Sequence, residues 1–341
     1  MTRKLVYVFT TGGTIGTYVD ESGIARVGDT IEGLVSQVKA SGIEIEAKSL
    51  MQKGSANLEP SDWKVIAEEI ARVIETRTDA SGVVILHGTD TMHYTAAALS
   101  FMLQKPGIPI VMTGSMISGS DSSGDAISNF DAALAVAANS DIAEICIVFS
   151  ADSIGKKKIV IRGSRARKIR SIAQNAFESI NAPPLAFVEK EKITYTGLEH
   201  QGRGTRKKLR LDTKLEPRVV YVKQNPALTG SMLEHFFKGE MGAVIEGTGR
   251  GHVKESLLDT ISSFQKPVAI STQALYGGES LGTYDIGSNM LRINNIIPSR
   301  DMTSETALVK LMWCLGHKKS SVRRKFLENI CGEISDQPKG R

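Results

Sequence analysis

Leu5-Val6-Tyr7-Val8-Phe9 runs straight into Thr10-Thr11-Gly12-Gly13-Thr14-Ile15-Gly16, and this junction decides the fold. Five consecutive apolar residues predict a strand buried on both faces. A buried strand that enters a Gly-rich turn leaves polar side chains at its C-terminal end, where open α/β sheets bind ligands. Gly12 and Gly13 carry no side chain, so their backbone N–H groups can lie close to a ligand. Threonine hydroxyls beside bare amides can supply a nucleophile and an oxyanion site. A tight turn with N-capping threonines accounts for the stretch equally well. Two phosphate-binding patterns do not fit. No Lys-Ser/Thr pair follows Gly16, and Thr17 to Gly23 reads as loop rather than as the helix a dinucleotide fingerprint opens.

Working outward, strand-like runs alternate with amphipathic stretches. Thr30 to Lys39 predicts a helix, with Ile31, Leu34, Val35 and Val38 on one face. Strands are expected at Ile43 to Ala47, Gly82 to Leu86, Ile108 to Met112 and Ile145 to Phe149. Helices are expected at Pro60 to Ile74, Thr91 to Leu103 and Ala126 to Ala138. This βαβα order implies an α/β fold with a parallel sheet and helices on both faces. Near residue 185 the composition shifts, and Glu189 to Thr213 is rich in charge and glycine. A second, smaller α/β unit follows, with strands at Val219 to Val222, Met241 to Ile245 and Pro267 to Ser271. Its helices are expected near Ser231 to Lys238, Glu255 to Phe264 and Thr303 to Leu315, with a last helix in the basic tail from Lys318. The expected organisation is two α/β domains, residues 1–188 and 217–341, joined by a connection at 189–216 that carries a hairpin.

The 341 residues include 41% apolar ones, enough for a normal core. A formal charge of +5 permits an acidic partner without requiring one. Cys146, Cys314 and Cys331 are far apart and odd in number, which fits neither a disulfide framework nor a metal-ligand spacing. Arg3-Lys4 precedes an apolar run of only five residues, too short for a secretory leader, and no run is long enough to span a membrane. A soluble, cytoplasmic chain without membrane partners is the expectation.

Leu86-His87-Gly88-Thr89-Asp90-Thr91-Met92 repeats the logic of the first junction: a buried strand, a glycine, then hydroxyl and carboxylate. Parallel neighbours would bring Thr11 and Thr89-Asp90 to one sheet edge. A hydroxyl is a weak nucleophile at neutral pH and needs a base or a lowered pKa. An ammonium favours its deprotonation, and a carboxylate holds that ammonium in place. Asp90 supplies the carboxylate, and it is equally suited to cap the helix that follows. The basic run Arg162-Gly163-Ser164-Arg165-Ala166-Arg167-Lys168-Ile169-Arg170 offers an ammonium, although on charge patterning such a run reads as a solvated face. His87 and His93 are six apart, which is no helix-face metal pair, and His87 reads as a packed, hydrogen-bonded imidazole.

Thr11-Gly12-Gly13-Thr14-Ile15, His87-Gly88-Thr89-Asp90-Thr91 and Thr113-Gly114-Ser115-Met116, in this order, resemble the bacterial/archaeal L-asparaginase family. The likeness extends through Ala176 to Asn181, Ile297 to Met302 and Leu308 to Trp313, nearly the whole chain. It implies hydrolysis of the side-chain amide of L-asparagine, with L-glutamine as a second substrate and no metal or organic cofactor. Thr11 then matches the attacking threonine, with Gly12 and Gly13 in its loop, and Thr89 and Asp90 match two members of a threonine–lysine–aspartate triad. The triad's lysine precedes a phenylalanine by nine residues, which selects Lys168 before Phe177. A substrate-carboxylate contact eight residues before a tryptophan selects Ser55 before Trp63. Gly88 and Ser115 complete the implied substrate contacts. The loop from Thr17 to Gly28 is expected to close over substrate, and Tyr18 is its one tyrosine, matched to the residue that orients the nucleophile. Ala56 stands where high-affinity members carry glutamine, which predicts a looser pocket. The family assembles intimate dimers, so a homodimer or homotetramer is expected, with Glu279 a candidate to reach a neighbouring subunit's site.

The rival reading is the asparaginase-like subunit of the archaeal glutamyl-tRNA amidotransferase, which releases ammonia for use on tRNA-bound glutamate. Arg162 to Asn181 and Glu246 to Val253 resemble that subunit as well. Lys156-Lys157-Lys158, Arg206-Lys207-Lys208 and Arg323-Arg324-Lys325 would suit RNA phosphates. That subunit carries an N-terminal domain ahead of the shared region, and Thr11 here lies ten residues after the start, which favours the free hydrolase. A non-catalytic sensor on the same fold would tolerate loss of Thr11, Thr89, Asp90 or Lys168, and all four are present.

Overall fold

The computed structural model describes residues 3–12, 17–19, 25–27, 35–36, 38, 42–117, 124–204 and 208–335. The chain divides into two compact units, Met1–Ser179 with Pro183–Thr213, and Ile180–Ala182 with Lys214–Arg341.

The first unit opens with β1 (Lys4–Thr10), followed by the short antiparallel pair β2 (Thr17–Val19) and β3 (Ala25–Val27), and by β4 (Ile43–Ser49). Helix α1 (Pro60–Thr76) begins with Pro60 in its first turn. A capping box ties its start, with the Glu59 amide donating to Asp62 Oδ2 at 2.8 Å. Then come β5 (Ala80–Leu86), α2 (Met92–Met102), β6 (Leu103–Gln104), β7 (Ile110–Thr113), α3 (Ala126–Asn139) and β8 (Ile145–Ser150). The remainder is β9 (Lys158–Arg162), β10 (Ala166–Lys168), β11 (Phe177–Ser179), β12 (Ala186–Glu189), β13 (Lys192–Tyr195) and β14 (Arg210–Leu211).

Eight of these strands form one sheet in the order β4-β1-β5-β7-β8-β9-β12-β13. The five from β4 to β8 are parallel, and β9, β12 and β13 are an antiparallel extension. Side chains alternate across a strand. Val6, Val8, Val84, Leu86 and Val111 therefore share one face with Phe130, Ala133 and Leu134 of α3. Val83, Ile85, Met112 and Ile147, of the other parity, are also buried, and α1 and α2 pack over that side. Helix α2 is buried nearly all round, as an apolar helix without a polar face must be. The expectation of helices on both faces of a parallel-dominated sheet holds, with the antiparallel edge as an addition.

The second unit holds β15 (Val219–Lys223), α4 (Gly230–Phe237), β16 (Gly242–Gly247), α5 (Leu258–Phe264), β17 (Val268–Thr272), α6 (Asp285–Leu291), β18 (Ile296–Pro298), α7 (Ser304–Leu315) and α8 (Val322–Leu327). Its four strands are all parallel, in chain order. The stretch 189–213, expected as a connection, contributes the β12–β13 hairpin and β14, which pairs with β6, to the first unit. Most of the expected helix over 30–39 lies outside the described residues, with 35–36 helical within it, and of the stretch over 17–28 expected as a loop, 17–19 and 25–27 pair instead as β2 and β3 while the rest lies outside them. Among the described residues no helix is long and apolar enough to cross a membrane, and no group of three His, Cys, Asp or Glu side chains is placed to hold a metal ion.

Candidate active site

Strand order fixes where a site can form. From β1 the chain passes to β4 on one side and then crosses to β5, β7 and β8 on the other. The carboxyl ends of β1 and β5 therefore face the crevice at the point where the sheet changes direction, which is where open α/β sheets bind ligands.

Thr11 follows β1 and is fully buried. Its amide donates to Leu86 O at 3.1 Å and its hydroxyl to the same carbonyl at 3.4 Å. Its carbonyl accepts the Lys53 amide at 2.9 Å. Gly12 is in the left-handed region at φ +96, and a Cβ there would lie 2.7 Å from the Lys53 carbonyl oxygen. The turn thus has room for no side chain, which answers why glycine stands at this position. Gly13 lies outside the described residues, and Tyr18 lies on β2 with its side chain outside them.

Lys53-Gly54-Ser55 forms the wall that β1 faces. Its position is set by the Lys53–Asp62 ion pair at 2.7 Å, which ties it to the first turn of α1. Ser55 opens a short 3-10 turn (Ser55–Asn57) and is buried. Its Oγ accepts the Asp90 amide at 3.2 Å, and its carbonyl accepts the Thr91 hydroxyl at 2.6 Å. A Cβ on Gly88 would sit 2.6 Å from Ser55 Oγ. Glycine at 88 is therefore what lets the two segments meet.

Lys168, at the end of β10, closes the cluster. Its Nζ donates to Thr89 Oγ1 at 2.9 Å and to Asp90 Oδ1 at 2.7 Å. The Lys168 side chain is 13% exposed, and that of Asp90 is 66% exposed. One oxygen is thus bound to the ammonium while the carboxylate still meets solvent. The pairing of β10 with β11 sets Lys168 opposite Phe177. Charge patterning misleads for two more residues of this basic run, whereas Arg170 is exposed as it expects. Arg165 is buried, and Arg162 is buried on Glu144, Nε donating to Oε1 at 2.8 Å. The Arg162 partner lies 18 residues away in the chain, so spacing does not reveal it. Lys158 is buried too, while Arg206 and Lys207 lie outside the described residues.

Two histidines lie behind the cluster. His87 is fully buried, its ring nitrogens facing Gly88 O at 2.7 Å and Thr95 Oγ1 at 3.0 Å. Burial pushes its pKa down to about 4. His93 packs against Tyr94 and Phe177. Burial, and then the charges of Arg167 and Lys168, push it down to about 3. Both rings are neutral at neutral pH, so the chemistry in front of them faces no extra cation.

Ser115 follows β7 and is buried, its Oγ without a partner among the described residues. The Thr113 carbonyl accepts the His87 amide at 2.9 Å, so this segment borders the β5 end. Glu279 sits in the second unit. It is buried, and its carboxylate accepts the Arg300 amide at 2.9 Å and the Leu281 amide at 3.2 Å. Both oxygens accept backbone amides within the chain. The residues missed from sequence are Lys53 and Asp62, which set the Ser55 wall, and the buried Asp125, Asn129 and Lys158. Asp62 alone left a signal, as the fourth residue of Glu59-Pro60-Ser61-Asp62 ahead of an apolar period.

A two-unit α/β architecture with hydroxyl, ammonium and carboxylate converging at a sheet switch point defines a class of protein that handles a small polar ligand at its strand ends. Residues 5–199 match the asparaginase N-terminal family model, and residues 218–326 match the glutaminase/asparaginase C-terminal domain. An L-asparaginase of Thermococcus kodakarensis is 36% identical over 337 residues, 96% of this chain and 98% of that one. One glutamyl-tRNA(Gln) amidotransferase subunit, from Pyrococcus horikoshii, is 36% identical over 340 residues, 97% of this chain and 76% of that one. Among solved structures, the thermostable L-asparaginase from Thermococcus kodakarensis superposes with a TM-score of 0.89 at 34% identity, over 98% of this chain and 100% of the other. L-asparaginase I from Vibrio cholerae superposes with a TM-score of 0.84 at 27% identity, over 98% and 99%. The chain belongs to the asparaginase family.

Proposed function

We propose that this chain hydrolyses the side-chain amide of L-asparagine to L-aspartate and ammonia, with Thr11 as nucleophile. The observation that carries this is the Lys168 ammonium at 2.9 Å from the Thr89 hydroxyl and 2.7 Å from the Asp90 carboxylate, on segments 78 residues or more apart. An ammonium in that position lowers the cost of removing the Thr89 proton, and Asp90 keeps the ammonium there. As Thr11 attacks the amide carbon, Thr89 relays the Thr11 proton, directly or through a water, to the amide nitrogen that leaves as ammonia. Backbone N–H groups at Gly88-Thr89 or Thr113-Gly114 would hold the oxyanion, each donor contributing roughly 3–4 kcal/mol. Ammonia leaves, and water releases aspartate from the acyl-enzyme. Ser55 and Thr89 hold the substrate α-carboxylate, Asp90 holds its α-amine, and Ser115 adds a further contact.

The similarity to the Pyrococcus horikoshii amidotransferase component supports a second reading, in which the ammonia is used on tRNA-bound glutamate. The test is ammonia release by the purified chain alone, from asparagine and from glutamine. The account predicts turnover of asparagine without partner or tRNA, and slower turnover of glutamine, since Ala56 leaves the pocket loose. Release only when a partner protein and charged tRNA are added would replace it with the second reading. An inactive chain under both conditions would remove both.

A further inference from the structure

Lys158 is a buried cation beside the β7 end that the proposed chemistry does not use. It opens β9 and is 4% exposed. Its Nζ donates to Ser128 Oγ at 2.8 Å, Asn129 Oδ1 at 2.8 Å and Ser150 Oγ at 3.0 Å. Three donors meet three oxygens, so the ammonium is saturated without a direct ion pair. Burial pushes its pKa down to about 8, opposed by the charges of Asp125 and Asp152. A methionine would fill the same space without a charge to dehydrate, but it would withdraw the hydrogen bonds from those three oxygens.

The ammonium and the Ser150 hydroxyl, which donates to the same Asn129 oxygen at 3.1 Å, together set the orientation of one carboxamide. Lys158 can only donate, so the oxygen of Asn129 must face it. The nitrogen then points the other way, and Nδ2 donates to Gly114 O at 2.9 Å and to Asp125 Oδ2 at 2.9 Å. Asp125 Oδ1 in turn accepts the Met116 amide at 3.0 Å and the Ile117 amide at 3.2 Å. Turned over, the carboxamide would set its NH₂ against the ammonium and its oxygen against a carbonyl and a carboxylate. The chain of bonds therefore has one sense, running from the cation to the backbone of 114–117. That segment carries the buried Ser115 hydroxyl, which has no partner of its own among the described residues.

We propose that Lys158 is a positioning residue: acting through Asn129 and Asp125, it holds the Gly114–Ile117 segment, and with it the Ser115 hydroxyl, against the β5 strand end. The role in catalysis rests on reading that strand end as the site of amide hydrolysis. The hold on the segment does not, so the two can fail separately.

The experiment compares wild type with Lys158→Met and Asn129→Asp in the full chain. It measures Tm, backbone amide exchange at Met116 and Ile117, and kcat and KM for ammonia release from L-asparagine. Met conserves volume and removes a dehydrated charge but leaves Asn129 Oδ1 with only the Ser150 hydroxyl, so Lys158→Met should change Tm by no more than a few degrees. It should also speed exchange at both amides, and lower kcat, by about tenfold, the worth of roughly one net hydrogen bond, with a smaller change in KM. Asn129→Asp, which loses the donor to Gly114, should speed the same two amides. Lys158→Arg, which keeps a donor, should recover part of kcat. Exchange at Met116 and Ile117 unchanged in Lys158→Met, or unchanged in Asn129→Asp, overturns the proposal. So does a lowered Tm with exchange and kcat at wild-type values, which would assign Lys158 to packing alone. If wild type releases no ammonia from asparagine, the catalytic reading falls, and exchange at the two amides still decides the hold on the segment.

Discussion

His93 occupies the first turn of α2, directly behind Thr89 and Asp90, where a positive charge is costly. With folded pKa values of about 4 for His87 and about 3 for His93, both imidazoles refuse protons that the unfolded chain accepts. Their ordinary value is near 6.5. Between about pH 6.5 and pH 4, then, the unfolded state binds more protons, and stability falls as pH falls, by up to about 1.4 kcal/mol per pH unit for each ring. Phenylalanine fits the apolar flank of Tyr94 and Phe177, so His93→Phe should remove one of the two contributions. Urea unfolding at pH 7 and pH 5 should show the variant losing about 1–2 kcal/mol less than wild type on acidification. Equal losses would mean that His93 is already charged in the folded chain. At this scale the sequence was partly legible. Thr11, Thr89 and Asp90 stand out beside their glycines, because close backbone approach demands glycine. Lys168 is one basic residue among several, and only resemblance singled it out. Lys158 and Arg162 were not legible, because Asn129 and Glu144, which help satisfy them, lie 29 and 18 residues away in the chain.

At the scale of elements, the parallel strands and their helices follow from periodicity, and their positions agree with the reading to within a few residues. Elements with polar ends did not. Strand β9 hides behind Lys156-Lys157-Lys158, and β12 and β13 carry Glu189, Lys192 and an exposed Tyr195, as edge strands do. In the second unit, α7 carries Lys310, which pairs with Glu333, both side chains wholly inaccessible. The Glu333 carboxylate also accepts the amides of Ile330 at 3.0 Å and Cys331 at 2.7 Å, which binds the segment after α8 to α7. Removing one partner leaves the other charge buried and unpaired, at about 3–5 kcal/mol, whereas replacing both with apolar residues can be close to neutral. Glu333→Gln should therefore lower unfolding free energy in urea by that amount, and Lys310→Met with Glu333→Leu should stand well above it. A single variant as stable as wild type would show that the pair is not buried in solution.

For the whole chain, one topological fact organises the rest: the order in which the chain adds its parallel strands reverses between β1 and β5, and Thr11 and Thr89-Asp90 follow the ends of those two strands. The sequence carried this, since two buried strands each ending in glycine and hydroxyl imply a shared edge. It did not carry the route by which β10 returns Lys168 to that edge, which depends on the antiparallel extension and on Phe177 across the ladder. The central claim is that these distant segments converge to hydrolyse one carboxamide. The most direct measurement is kcat/KM for ammonia release from L-asparagine in Lys168→Met beside wild type, with Tm recorded for both. The expected result is a fall of about a thousandfold or more, in the range of losing a group that assists proton transfer, at a Tm within a few degrees of wild type. Wild-type kcat/KM in the variant would contradict it.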